Sequence, residues 1–175
     1  MRFLDGSKPR AYCGQRMADR HEHFMRLALR EAQRGIRKGE GGPFGACIVK
    51  GGRVIAVAHN RVLKSRNPTL HAEVVAIGRA SRRLGTHQLD GCTIYSTTEP
   101  CPMCFAAIHW ARVGKVYFGT TVPDVQRLGF NELMLSNATL KRLGKSPVRL
   151  FPGLLRDECR DLLRDWKALP NKRTY

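Results

Sequence analysis

No stretch of this chain is apolar for long enough to cross a bilayer. The longest apolar run, residues 103–108, falls far short of the roughly 20 residues a spanning helix needs. The first ten residues lack the apolar core of an export signal, so the expected compartment is the cytoplasm. Acidic residues are scarce as well: 14 Asp plus Glu stand against 31 Lys plus Arg, a formal charge of +17. Such an excess admits a polyanionic partner such as tRNA. It equally admits a well-solvated surface, because the basic residues spread from Arg2 to Arg173 without one dense block. Internal repeats and linker-like segments are absent too. That leaves a basic N-terminal arm over residues 1–18 and a single domain over residues 19–175, with a tail at 169–175. A chain of 175 residues can bury a core without disulfides.

Six cysteines are present, at 13, 47, 92, 101, 104 and 159. Chain length and the missing signal argue against a secreted disulfide framework. Only Cys101 and Cys104 are close in sequence, which makes that pair a candidate metal or redox site and the others small hydrophobes.

Apolar residues at Phe24, Leu27, Ala28, Ala32 and Ile36 follow helical spacing, predicting a helix over residues 19–38 with Asp19 as a cap. Residues 39–43 break it. Two β-rich runs, 45–50 and 53–60, flank Gly51-Gly52, a strong hairpin signal. Thr69 can cap a helix over residues 71–84. A strand at 93–96, a helix from 101 to 111 and a strand at 115–119 imply a parallel strand pair. Further on, the expected elements are a short helix near 131–136, a strand at 148–151 and an amphipathic helix at 154–168. The last would turn Leu155, Cys159, Leu162, Leu163 and Trp166 inward. The fold class is α/β, with helices on both faces of one sheet.

Two segments carry the chemistry: His71-Ala72-Glu73 and Pro100-Cys101-Pro102-Met103-Cys104. Each falls at an expected helix start, where exposed N–H dipoles favour thiolates. Two thiolates and an imidazole suit Zn²⁺ and leave its fourth tetrahedral position for water, whose pKa the metal lowers to about 7. A carboxylate must then move protons, and Glu73 supplies one. Taken alone, the Cys pair could be a redox site, or part of a structural zinc site completed by His59, Cys92 or His109. A basic domain built on structural zinc would be a nucleic-acid-binding module. H-x-E together with P-C-x-x-C, however, is the signature of zinc deaminases.

On these segments the chain resembles the cytidine deaminase-like superfamily over residues 22–175, and within it most the bacterial guanine deaminases. The resemblance implies a three-layer α/β/α sandwich around a mixed five-stranded sheet. It implies zinc held by His71, Cys101 and Cys104, with Glu73 as proton shuttle. The placing of Glu73 beside His71 comes from the family, since residues i and i+2 diverge on a regular helix.

Four further segments bear on the substrate. Gly41-Gly42-Pro43-Phe44-Gly45-Ala46 resembles the guanine deaminase loop whose Phe packs on the purine. Asn60 matches an Asn that hydrogen-bonds the base. Ile108-His109-Trp110-Ala111 is similar to the stretch after the Cys pair, making Trp110 a second substrate contact. Gly129-Phe130-Asn131-Glu132 resembles a Gly-Phe-Asp-Asp or Gly-Phe-Asp-Glu segment whose last acid assists departure of the amine. Here Asn131 departs from that pattern and Glu132 keeps the acid. The ending Asn171-Lys172-Arg173-Thr174-Tyr175 is similar to a guanine deaminase tail that closes a partner's site, implying a homodimer, C-terminally exchanged, with Tyr175 over a pocket. Against this, Gly153-Leu154-Leu155-Arg156-Asp157-Glu158-Cys159 resembles the last helix of tRNA adenosine deaminases. The expected activity is deamination of a free nucleobase, guanine foremost. A tRNA adenosine, cytosine, a nucleoside or another aminated heterocycle are the alternatives.

Overall fold

Side-chain alternation along the first strand decides the layers. In β1 (Gly45–Lys50), Ala46 and Ile48 face one way and Cys47 and Val49 the other, and all four are buried. A strand covered on both faces needs helices on both sides. Ala46 and Ile48 pack with α3 (Ala72–Leu84) and α4 (Pro102–Trp110), whereas Cys47 and Val49 pack with α1 (Arg10–Arg37) and α7 (Arg156–Ala168). The expected three-layer sandwich is the result. The structure, a computed structural model, describes the backbone of residues 10–174 and the side chains of residues 18–174.

The five-stranded sheet runs in the order β2-β1-β3-β4-β5. β1 is antiparallel both to β2 (Arg53–His59) and to β3 (Cys92–Thr98). β3, β4 (Lys115–Thr120) and β5 (Arg149–Pro152) are parallel to one another. The sheet is therefore mixed, and α4 makes the crossover between β3 and β4. Ligands in sheets of this kind gather at the carboxyl ends of parallel strands, where helix N-termini meet. A smaller apolar cluster of Val125, Phe130, Leu163 and Trp166, with Phe44 against it, stands at that end. Among the described residues no helix is long and apolar enough to cross a membrane.

The structure departs from the sequence reading in three places. α1 starts at Arg10, so residues 10–18 are helical rather than a loose arm, and Asp19 lies inside the helix instead of capping it. Helical periodicity in a sequence reports burial, and among the described side chains of α1 the first buried one is Phe24. Residues 131–136 are irregular, and the helix expected there is α6 (Asn137–Leu143), capped by the Ser136 hydroxyl, which accepts a bond from the Thr139 N–H. The short α2 (Val62–Ser65) and α5 (Val122–Gln126) were not anticipated, although at α5 Thr121 and Asp124 form a capping box whose Thr-x-x-Asp spacing is readable. In α7 Cys159, Leu162, Leu163 and Trp166 are buried as expected, while Leu155 is the N-cap.

Gly35 of α1 gives a test of the packing. A Cβ there would lie 2.5 Å from the His59 ring, whereas at Gly78 of α3 the nearest atom, 3.7 Å away, is the mobile Arg82 guanidinium. Gly35→Ala should cost about 1–3 kcal/mol through overpacking. Gly78→Ala should instead stabilise by about 0.5–1 kcal/mol by restricting the unfolded chain. Urea denaturation of both variants measures this, and equal effects would contradict the packing described.

Candidate metal and catalytic centre

Two helices start at one point. His71 is the N-cap of α3 with extended φ −63° and ψ 160°, and Cys101 is the N-cap of α4 with φ −63° and ψ 167°. Cys101 and Cys104 are thus N-cap and N3, the positions that a capping box brings together. Pro102 fits the first helical turn, because its missing N–H would have no intrahelical partner there. The ligand atoms of His71, Cys101 and Cys104 all lie within 4.8 Å of one another, and Cys101 Sγ is 3.6 Å from His71 Nδ1. Among the described residues His59, Cys92 and His109 stay outside this group. Two sulfurs and an imidazole nitrogen, with no fourth protein donor among the described residues, fit the zinc expected.

Glu73 arrives beside His71 because His71 is outside the regular helix. Its extended backbone turns the imidazole back over the first turn of α3, where Glu73 points inward. Glu73 is 6% exposed; its Oε1 accepts a bond from Ser96 Oγ at 2.9 Å, and its Oε2 lies 3.5 Å from Cys104 Sγ. Burial pushes the Glu73 pKa up, against the pull of His71. The hydrogen bond from the Cys104 thiol draws the Cys101 pKa down to about 4, and that same bond pushes Cys104 well up. For His71, burial opposes the cation, but the bond to Cys101 and the nearby Glu73 carboxylate leave its pKa raised. One thiolate is therefore ready at neutral pH, and binding a cation must displace the Cys104 proton.

A cavity of about 190 Å³ opens onto this group. Phe44, Phe130 and Leu133 form part of its apolar wall, and Glu132 and Asn131 face it with Glu73, His71 and Cys101. Phe44 meets Phe130 edge-on at 5.1 Å, and Phe130 stacks on Trp166 at 5.0 Å, so α7 braces the wall from behind. Burial raises the Glu132 pKa, and the negative charge on Cys101 adds to the rise. Two carboxyl groups that hold their protons tightly thus share one cavity with the candidate metal site.

Two of the expected substrate contacts lie off the cavity of their own chain, and a third falls outside the described residues. Trp110 ends α4, is 77% exposed, and lines a separate depression with His87, Arg112 and Pro147. The helix that begins at Cys101 carries it roughly 14 Å away at 1.5 Å per residue. Asn60 is fully buried and is not a lining residue; its Oδ1 accepts the Val62 N–H at 3.1 Å, while its Nδ2 has no partner. Its backbone N–H donates to the Phe44 carbonyl at 3.0 Å, so Asn60 holds the loop that presents Phe44. Tyr175 lies outside the described residues; Thr174, before it, comes within 4.0 Å of a Cβ built at Gly129 of its own chain.

Two features escaped the sequence reading. Glu99 lines the cavity with its carboxylate buried. His59, at the end of β2, is held between two acids, with Nδ1 2.8 Å from Glu31 and Nε2 2.7 Å from Glu40, while Lys64 Nζ donates to Glu40 at 2.6 Å. A lone Glu or His carries no signal of such partners until the fold brings them together.

Residues 18–120 match the cytidine and deoxycytidylate deaminase zinc-binding region. The chain is 38% identical over 155 residues to a guanine deaminase of Bacillus subtilis, covering 89% of this chain and 99% of that protein. It is 52% identical over 97 residues to a tRNA-specific adenosine deaminase of Aquifex aeolicus, covering 55% of this chain and 64% of that one. A solved guanine deaminase from Nitrosomonas europaea superposes with a TM-score of 0.77 at 28% identity, covering 97% of this chain and 99% of that chain.

The Glu40 cluster predicts a pH dependence. The hydrogen bond from Lys64, followed by that from His59, lowers the Glu40 carboxyl from 4.5 to about 2. A carboxyl depressed on folding stabilises above its unfolded pKa, and this contribution fades as pH falls from about 4.5 towards 2. Glu40→Gln should therefore cost about 2 kcal/mol at pH 7, the scale of a hydrogen bond to a charged group. The difference from the parent should close by pH 2 in urea titrations. A gap independent of pH would contradict the ion pairing.

Proposed function

The chain belongs to the zinc-dependent cytidine and deoxycytidylate deaminase family, and on that premise we propose that it converts guanine to xanthine and ammonia. The observation that carries this reading is a pair of carboxyls, the buried Glu73 and the half-buried Glu132, facing the His71, Cys101 and Cys104 cradle across an aromatic-walled cavity. Similarity to the Bacillus guanine deaminase takes in 89% of this chain and 99% of that protein.

Zinc in the cradle supplies Lewis-acid activation of a water molecule. Glu73 accepts a proton from the attacking water and delivers it to the ring nitrogen beside the carbon that loses its amine. Its raised pKa suits a group that must take a proton and hold it until the ring is ready. Glu132, on the facing loop, serves the exocyclic amine as it leaves as ammonia. The Phe44 ring provides a face for a planar base, and Phe130 fixes its angle. The Asn60 Nδ2, a buried donor without a partner, supplies a hydrogen bond to the base once the Phe44 loop adjusts around substrate.

A second reading, deamination of a tRNA adenosine, draws on the charge of +17 and the 52% identity to the Aquifex enzyme. The two readings separate by ammonia release from guanine and from a tRNA anticodon stem-loop. Guanine should be turned over, and Glu73→Gln should retain zinc while losing on the order of 10²–10⁴ in kcat. Editing of the RNA without turnover of guanine would overturn the substrate assignment, and near-normal kcat in the Gln variant would overturn the role of Glu73.

The reading extends to a homodimer in the cytoplasm. Trp110, Leu133, Met134 and Leu143 are large apolar side chains left exposed on α4, the site loop and α6, a surface suited to a second copy of the chain. The five described cysteines are all free thiols, which fits a reducing compartment. Light scattering should give a dimer, and Trp110→Glu with Met134→Glu should give a monomer. A parent protein that is already monomeric would remove this part of the proposal.

A further inference from the structure

Glu99 lies between the end of β3 and the ligand Cys101, and it does more than line the cavity. Its Oε1 accepts the Asn137 backbone N–H at 2.8 Å, and its Oε2 accepts the Val122 N–H at 3.4 Å. Those are the first residues of α6 and α5. Both N–H groups belong to helix first turns, which have no intrahelical acceptor and favour a negative charge. Between the two helices runs the irregular segment 127–136, which carries Phe130, Asn131 and Glu132. One carboxylate therefore holds the start of α6, where this segment ends, and the start of α5, the short helix that leads into it.

The segment is also anchored by local bonds and by apolar contacts. The bonds from Glu132 N–H to the Phe130 carbonyl, at 3.1 Å, and from Leu135 N–H to the Leu133 carbonyl, at 2.7 Å, are local and fix no register against the rest of the fold. Phe130 pins the middle through Phe44 and Trp166. Asn137 reinforces one end, its side-chain Nδ2 donating to the Pro100 carbonyl next to Cys101. Glu99 itself is fixed by its backbone N–H, which donates to the Thr120 carbonyl at 2.8 Å. The carboxylate thus stands on the same short stretch as Cys101 and reaches across to the segment bearing Glu132.

The geometry points to Glu99 as a positioning residue that sets the Glu132 carboxyl against the metal ligands, and this rests on the reading of Glu132 as the acid serving the leaving amine. Both Glu99 oxygens already accept backbone bonds, so its work is done through the loop. Glu99→Gln is the natural probe: an amide offers one acceptor where two are needed, and its NH₂ would face an N–H donor.

In Glu99→Gln the zinc content should stay at that of the parent. Turnover of guanine should fall on the order of 10-fold, the scale of a catalytic group shifted by less than 1 Å, with KM moving less than about 3-fold. In a Glu132→Gln background the same substitution should cost less than about 2-fold, because the group it positions is gone. Amide hydrogen exchange of residues 127–136 should quicken about 10-fold while that of β3 is unchanged. Unchanged exchange in that segment overturns the proposal whatever the kinetics. Faster exchange with the same kinetic cost in both backgrounds would make Glu99 a support of the loop alone and overturn its link to Glu132. If Glu132→Gln turns over like the parent, the Glu132 reading falls and takes the catalytic half of the proposal with it, leaving exchange to decide whether Glu99 holds the loop. Should Glu99→Gln fail to fold, Asn137→Ala loosens the same bracket from its other side and is held to the same outcomes.

Discussion

The site depends on two helix N-termini pointing at a common spot. A helix start presents unpaired N–H groups and the positive end of its dipole, so a pair of them makes a place where negative groups are stabilised. The chain puts His71 and Cys101 at the two N-caps and Cys104 and Glu73 in the first turns. N-cap residues have extended backbones and swing their side chains over the helix end. That is why an imidazole, two sulfurs and a carboxyl converge from short stretches of sequence. The parallel alignment of β3 with β4 fixes where α4 must begin, and packing of Ala72, Ala76 and Ala80 against the sheet fixes α3.

Around this point the protein gathers groups that hold protons tightly and shields them from water. Glu73 and Glu132 are both raised by burial, and they sit on opposite sides of the cavity, one on a rigid helix and one on an irregular loop. Glu73 is held by Ser96 from the sheet, while Glu132 rides on an irregular segment that ends at the Glu99-held start of α6. The aromatic column of Phe44, Phe130 and Trp166 ties that segment to α7. The last helix therefore contributes to the site without placing any group on it.

How much of this the sequence disclosed follows from the kind of signal each part leaves. The ligands and Glu73 were legible because H-x-E and P-C-x-x-C are local patterns with a chemical reason for their spacing. The layers were legible because β1 is apolar on both faces and burial leaves a helical period in α7. The start of α1 was not, since no described side chain ahead of Phe24 is buried and so none adds to the apolar period. Trp110 was assigned to the base by resemblance, but the run of α4 carries it away from the cavity and leaves it exposed. Glu99 and the His59 cluster were invisible for another reason. Their partners, Val122 and Asn137 in one case and Glu31 and Glu40 in the other, are distant in sequence or are backbone groups with no letter of their own.

The central claim is that His71, Cys101 and Cys104 are the whole protein ligand set, which makes the metal catalytic rather than structural. X-ray absorption at the zinc edge of the purified protein tests it most directly. The account predicts one zinc per chain, with two sulfurs at about 2.3 Å, one imidazole nitrogen at about 2.0 Å and one further light atom from solvent. A third sulfur or a second imidazole in the shell would close the open position and contradict it.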